Sequence, residues 1–469
     1  MTLGSSSGSA AVGGQALPRP QLRPPDLILF TATVLLLAVG AVMVYSASFV
    51  IAHNEFQDDL YFLSRHLGAI ALGAVAMVVL VRIDYRRWRR FSLLVMLGCV
   101  ALLILVLAPG VGSRVYGAVR WIKVGPIQIQ PSELAKIAIA LYLADWLARR
   151  GPLVKHMSSG SLPFVIIVGV VAGLVEMQPD LGTTFVIVGT AASVFFIAGA
   201  NLWHVALAGG IGMLAGIAAI ARMSGYRQDR ITAFLDPWAD LQGSGWHTAQ
   251  TLIALGSGGP FGLGLGGSRQ KFYWVPNAHT DAIFSIIGEE LGFVGTLAVL
   301  VVFGVVAWRG FVIAWQAPDT FGRLLAAGLT SGLVIQALVN IAVVTNSIPY
   351  TGVPLPFISY GGSSTIISMV AVGFLLSISR RRGLPRETDH SFASAPQPVD
   401  GRMGPTRRLV RGAPAAASRI QAIHRAWVAS RVRPSVADAL QARPARRRVP
   451  RRPALSHDGS RRARRSPRA

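Results

Sequence analysis

Long, unbroken apolar runs dominate the chain, in place of the 3.6-residue or alternating periods of a soluble domain. Ten such runs lie at roughly 27–50, 66–82, 91–109, 132–148, 162–177, 181–199, 202–221, 281–308, 322–346 and 362–379. Each reaches or approaches the length that crosses a bilayer core of ~30 Å. The pattern predicts an all-α polytopic membrane protein of about ten transmembrane helices. A large extracytoplasmic loop, residues 222–280, separates the seventh from the eighth. The first run has no small-residue cleavage site behind it and reads as a retained span, not a secretion signal.

Lys and Arg in short loops give the orientation. The loop after the second run carries Arg82, Arg86, Arg87, Arg89 and Arg90. The loop after the fourth carries Arg149, Arg150 and Lys155, and the tenth run ends in Arg380, Arg381 and Arg382. With ten spans these loops share one side, the cytoplasmic one, with both termini. Residues 1–25 then form a disordered cytoplasmic start, 26–380 the membrane domain, and 381–469 a disordered Arg-rich cytoplasmic tail.

Composition agrees with this picture. The chain is 52% hydrophobic and 14% charged, with a mean hydropathy of +0.50, which excludes a soluble enzyme. A net charge of +24 suggests a nucleic-acid partner until it is located: from Arg380 onward there are 23 Arg against 5 acids. The expected partner of this tail is anionic inner-leaflet lipid, with 415–432 as a short basic amphipathic helix, and no specific nucleic acid. The single cysteine, Cys99, rules out a disulfide framework within the chain. There is no GxxxxGK[ST], no HExxH, no Cys/His cluster, and no GxSxG before a helix. ATP-driven pumps, zinc enzymes and serine hydrolases therefore lack support. The absence of a clear internal repeat weakens a transporter reading.

Chemistry concentrates at the ends of the spans. Gly256–Gly292 passes from a glycine-rich part through Arg269, Lys271, Phe272-Tyr273-Trp274 and His279-Thr280-Asp281 into an apolar run carrying Glu289 and Glu290. Such a segment is a place for chemistry to meet a lipid-borne substrate. Gln130-Pro131-Ser132-Glu133 opens the fourth span, and Glu133 and Lys136, three apart, share a helix face. They are either functional or a structural ion pair between helices. In Gln178-Pro179-Asp180 the carboxylate is placed to cap the sixth span. Arg114, Arg120 and Lys123 sit on an outer loop against the insertion bias. They imply an anionic partner, or pairing with Glu55, Asp229, Asp236 or Asp240. Residues 346–364 hold three prolines. Irregular backbone at that depth must pack in protein or line a wet cavity, so it belongs beside the cavity, opposite Asp281.

These motifs resemble the SEDS family (shape, elongation, division, sporulation) over roughly 27–380, its FtsW/SpoVE branch more than RodA. The resemblance rests on Arg120-Trp121-Ile122, Gln130-Pro131-Ser132-Glu133 to Lys136, and Gln178-Pro179-Asp180 to Thr183. It rests also on Phe234 to Asp240, Gly256 to Gly259, Gln270-Lys271, Ala278-His279-Thr280-Asp281, Gly288 to Gly292, and Leu355 to Ser364. It implies a peptidoglycan glycosyltransferase polymerising lipid II into glycan strands at the outer face of the cytoplasmic membrane, at the division septum. Implied partners are lipid II, the lipid-linked nascent glycan, a class B penicillin-binding protein transpeptidase and other divisome proteins. The family's essential carboxylate matches Asp281, its paired residues match Glu133 and Lys136, and its Gln-Pro-Asp carboxylate matches Asp180. The chain departs from the pattern at Asn277, where the family often has Glu, and at Ala282, where it usually has Phe. It also departs at Gly245-Trp246-His247, where the family has Gly-Tyr-Gln, and at Asn346.

On this resemblance Asp281 is the general base. Arg120, Lys136 and Lys271 are the candidate contacts of the pyrophosphate leaving group. Glu133 orients Lys136, Asp180 organises the cavity, His279 tunes Asp281 or binds sugar, and Ser359 is a further substrate contact. A single base suits inverting transfer. A divalent cation, Mg2+ or Mn2+, would suit the pyrophosphate, with no ligands assigned. The alternatives are a RodA-like elongation polymerase, a lipid II flippase and a noncatalytic divisome scaffold.

Overall fold

A computed structural model describes residues 23–115, 118–125, 127–201, 203–204, 206, 209–210 and 226–381. Its helices are α1 (Leu27–Phe56), α2 (Tyr61–Arg82), α3 (Tyr85–Arg89), α4 (Ser92–Leu107), α5 (Pro131–Arg150) and α6 (Leu162–Glu176). They continue with α7 (Leu181–Ile197), α8 (Tyr226–Leu235), α9 (Trp246–Ser257), α10 (Ile283–Trp315), α11 (Thr320–Val344) and α12 (Gly362–Ser379). Nine of the ten predicted runs correspond to helices. The run at 202–221 lies almost wholly outside the described residues, as do residues 1–22 and the tail beyond Arg381 with its 415–432 segment.

Six segments among the described residues are long and apolar enough to cross a membrane: α1, α2, Met157–Glu176, α10, α11 and α12. Helices α4 and α7 are shorter apolar ones. Helix α5 differs in kind. It packs against α4, α7, α11 and α12, and most of its side chains are buried. A helix sheathed by other helices can hold charge inside protein instead of lipid.

Local chemistry starts the helices where the sequence suggests. Asp26, Asp180 and Asp319 each accept a hydrogen bond from the backbone N–H three residues on, at the starts of α1, α7 and α11. Pro131 opens α5, where its missing N–H is not needed. Helix α10 is broken at Gly292, with φ 68° and ψ −166°, and the backbone of Phe261 and Gly262 packs where a side chain would stand.

The bundle has two ends, marked by their polar contacts. At one, Asp26 pairs with Arg309 at 2.5 Å, Asp145 with Arg89 at 2.9 Å and Arg149 at 2.8 Å, and Asp84 with Arg381 at 3.2 Å. Asp319 accepts from Tyr85 and Arg86. The arginine-rich loops expected to share a side share this end. Helix α7 finishes toward it, and α8 lies at the opposite end, where Asn346 Nδ2 donates to Phe234 O at 3.2 Å.

Two features of the connections add to the sequence reading. The segment before α5 forms a three-stranded antiparallel sheet, β1 (Gly112–Val115), β2 (Ala118–Val124) and β3 (Ile127–Ile129), in that order. The β-branched and aromatic residues Val119, Trp121, Ile122, Ile127 and Ile129 favour it. The large loop contains α8 and α9, so it is not irregular throughout.

Candidate functional site

The opposite end gathers the starts of α5, α7, α10 and α12, the finish of α11, and the connection 345–361. Asp281 sits just before α10 and is 7% exposed. Thr280 Oγ1 donates to its Oδ1 at 2.9 Å, and the Tyr350 hydroxyl donates to Oδ2. Asn340 Nδ2, on α11, donates to the carbonyls of both Asp281 and Val353 at 2.7 Å, fixing the two segments to each other. Gly352, at φ 72°, presents no side chain to Asp281. The expectation that 346–364 lies beside Asp281 is met.

His279 is 8% exposed. Its ring centroid lies 4.5 Å from Phe62 and 5.5 Å from Tyr360, and its Nδ1 has no hydrogen-bond partner among the described residues. Burial pushes its pKa down to about 4, against the opposing pull of Asp281. His247, on α9, packs tilted against Tyr350, with ring centroids 4.3 Å apart. Burial lowers its pKa as well, opposed by Asp281 and reinforced by Arg230.

A histidine held below its ordinary 6.5 leaves the folded protein with fewer bound protons than the unfolded chain between about 4 and 6.5. Stability therefore rises with pH across that window and is lost as pH falls through it. The shift of His279 sets an upper size of about 3 kcal/mol. The melting temperature of detergent-solubilised protein should fall between pH 7 and pH 4.5. His279→Gln should flatten that slope, and a slope unchanged in the variant would show that another group carries the pH dependence.

A second group surrounds Asp180. Its Oδ1 caps α7 at Thr183 N, 3.2 Å, and its Oδ2 accepts from Gln130 Nε2 at 3.1 Å and Ser132 Oγ at 3.3 Å. Arg120, carried by β2, approaches Asp180 at 4.0 Å. Its Nε donates to Gln178 O at 2.9 Å, and its Nη2 donates to Pro179 O. The sheet thus delivers Arg120 to the Gln178-Pro179-Asp180 turn, and not to the acids expected as its alternative partners.

A third group lies inside α5. Lys136 Nζ is 2.6 Å from Glu133 and donates to Gln336 Oε1 on α11 at 2.5 Å. Gln336 Nε2 in turn donates to Pro354 O at 2.9 Å and Ser364 Oγ at 3.1 Å. A small cavity lined by Lys136, Thr190, Gln336 and Ser368 adjoins the pair. The Glu133–Lys136 pair is thus both an ion pair along one helix and a tie between helices.

Residues 350–354 join the three groups. They touch Asp281 through Tyr350 and Gly352 and Lys136 through Gln336. They touch the start of α7 at Gly182, where an added side-chain carbon would collide with Val353 and lie 2.9 Å from Thr351 Cβ. Gly182→Val should therefore lower the melting temperature by several degrees and reduce activity at the same time, because it displaces the segment that faces Asp281. A melting curve beside an activity assay checks this.

Two expected substrate contacts lie outside this convergence. Lys271 Nζ, 5% exposed, is taken by Glu290 Oε1 at 3.2 Å, Gly266 O at 2.7 Å and Ser46 Oγ at 3.4 Å. Glu290 balances its charge in this arrangement, in which Lys271 closes the loop onto α10. Ser359 Oγ, 2% exposed, accepts from Leu355 N at 2.8 Å and fixes a turn. Among the described residues no three His, Cys, Asp or Glu converge as metal ligands.

Sequence reasoning gave no role to Gln336, Asn340, Tyr350 or His247. The first two had a readable signal: polar side chains four apart in an apolar span share a face and demand an explanation.

Comparisons with known proteins give the same picture. The chain matches the Cell cycle protein family FTSW_RODA_SPOVE over residues 26–383. It is 46% identical over 356 residues to Stage V sporulation protein E of Bacillus subtilis (strain 168), covering 76% of this chain and 97% of that protein. It is 43% identical over 354 residues to the probable peptidoglycan glycosyltransferase FtsW of Trichlorobacter lovleyi, covering 76% and 93%. Among solved structures, a chain from work described as structural coordination of polymerization and crosslinking by a peptidoglycan synthase complex superposes with TM-score 0.64. It is 30% identical, over 76% of this chain and 98% of that one. The rod shape determining protein RodA of Thermus thermophilus superposes with TM-score 0.57 at 29% identity, over 77% and 98%. With nearly the whole length of these relatives matched, the chain belongs to the FtsW/RodA/SpoVE family of cell cycle proteins.

Proposed function

We propose that this protein is a peptidoglycan glycosyltransferase of the division branch, polymerising lipid II at the outer face of the cytoplasmic membrane. The observation that carries the reading is Asp281. It is a buried carboxylate at the site end, with both oxygens held by hydroxyl donors, in a chain matched along almost all of an FtsW relative.

The chemistry is one displacement. Asp281 takes the proton of the acceptor sugar hydroxyl. That oxygen attacks the donor's anomeric carbon, and the bond to the lipid diphosphate breaks, so that the diphosphate leaves with the electron pair. One base acting in one step inverts the anomeric centre. Arg120 and Lys136 are the cations of this end that receive the diphosphate, with Glu133 and Gln336 orienting Lys136 and Asp180 holding the turn beneath Arg120. His279, neutral at pH 7, offers a ring nitrogen to a sugar hydroxyl.

The orientation is supported by Arg86, Arg89, Arg149 and Arg381, gathered at the end remote from Asp281. That end is cytoplasmic in this reading. The likeness to a chain of a peptidoglycan synthase complex that coordinates polymerization and crosslinking supports a class B penicillin-binding protein as the transpeptidase partner. The septum is the site of action, and the arginine-rich tail binds anionic inner-leaflet lipid.

The test is polymerisation of labelled lipid II by the purified protein, alone and with a co-purified class B penicillin-binding protein. Glycan strands are expected. No product from wild type with its partner present would defeat the reading in favour of lipid transport.

A further inference from the structure

Asp281 must present an oxygen to an incoming hydroxyl, yet its carboxylate turns about a single bond. Thr280 holds Oδ1, but it is the preceding residue and moves with Asp281. The donor on Oδ2, Tyr350, comes from a different segment. It is therefore the contact that ties the carboxylate plane to the rest of the molecule.

Tyr350 is itself held on several sides. Arg230 Nη1, on α8, donates to the Tyr350 carbonyl at 3.1 Å, and its guanidinium stands 5.2 Å from the ring centroid. His247, on α9, packs tilted against the same ring, centroid to centroid 4.3 Å. Asn346 is bonded to the end of α8. Among the described residues, the charged and titratable groups about Asp281 include Tyr350, Arg230, His247 and His279. A carboxylate offers about four acceptor positions, so two hydroxyl donors leave room for the substrate's hydroxyl.

We propose that Tyr350 is the positioning residue for Asp281, set in place by Arg230 and His247, so that the outer segment 226–257 governs how the base is aimed. The kinetic part of this inference rests on the glycosyltransferase reading; the contact itself does not. The hydroxyl contributes through geometry. Displacements of about 1 Å at a reacting group lower rates by up to 10²-fold. Removing the hydroxyl while keeping the ring leaves the His247 ring contact and the Arg230 bond to the carbonyl in place.

Tyr350→Phe tests it with two readouts. Lipid II polymerisation by the variant, with the transpeptidase partner, should show kcat reduced by about ten-fold or more and KM changed by less than about three-fold. The second readout needs no turnover. The infrared difference between wild type and Asp281→Asn isolates the Asp281 carboxylate stretch, and that band should move in the Tyr350→Phe background. Arg230→Met, which loosens Tyr350 without touching Asp281, should lower kcat in the same direction by a smaller factor. An unmoved band with unchanged kcat overturns the inference. So does a raised kcat, which would make Tyr350 a brake, or a lowered kcat with a raised KM and a lowered melting temperature, which would make it structural. If wild type yields no glycan, the proposed function fails, and the infrared band still decides whether Tyr350 holds the carboxylate.

Discussion

Asp281→Asn should reduce glycan polymerisation by roughly 10²–10⁴-fold, the contribution typical of a positioned general base. The amide is nearly isosteric with the carboxylate. It keeps one oxygen to accept from Tyr350 or Thr280, and it leaves untouched the backbone carbonyl bonded by Asn340. Melting temperature should therefore stay within a few degrees of wild type, and labelled lipid II should still bind. What disappears is the capacity to take a proton. Single-turnover polymerisation, run beside a binding assay, separates the two effects. Product at the wild-type rate would remove Asp281 from the chemistry, while loss of binding with loss of product would make it a substrate anchor.

That carboxylate was legible in the sequence through the resemblance of Ala278-His279-Thr280-Asp281 to the family's motif, at the start of an apolar run. Helix capping singled out Asp180, and the cost of polar groups at membrane depth singled out Glu133 with Lys136 as a pair. It also placed the proline-rich 346–364 segment beside the cavity, since such backbone needs protein around it. Spans were legible for the same physical reason: a bilayer core demands apolar length, and length is visible in one dimension. The partners of each charge were not legible. Arg120 finds the 178–180 turn because a three-stranded sheet aims it there, and Lys271 finds Glu290 because a loop folds back on α10. Both are long-range pairings that no local spacing encodes. Tyr350 carried no sequence signal beyond its place between Pro349 and Gly352.

Lys271→Met should cost about 3–5 kcal/mol of stability, because it leaves a carboxylate without its counter-charge in a buried site. Glu290 is fully buried, and Lys271 is its one ion-pair partner among those the structure shows. The carboxylate also accepts from Ser46 Oγ at 2.7 Å and Ser268 N at 3.3 Å, so the same group pins α1 and the 266–271 loop to the first turns of α10. Beside it Glu289 accepts from Ser268 Oγ at 2.5 Å and Arg269 N at 2.9 Å. The double variant Lys271→Met with Glu290→Gln removes both charges together. It should recover most of the lost stability, since the cost lies in the unpaired ion and not in the absent pair. Thermal melts of the three proteins give the coupling directly. Polymerisation assays on the same samples decide what the lysine is for. If the double variant regains activity along with stability, Lys271 serves the fold. If stability returns and activity does not, the ammonium meets the lipid diphosphate during turnover, and the clasp seen here must open for it to do so.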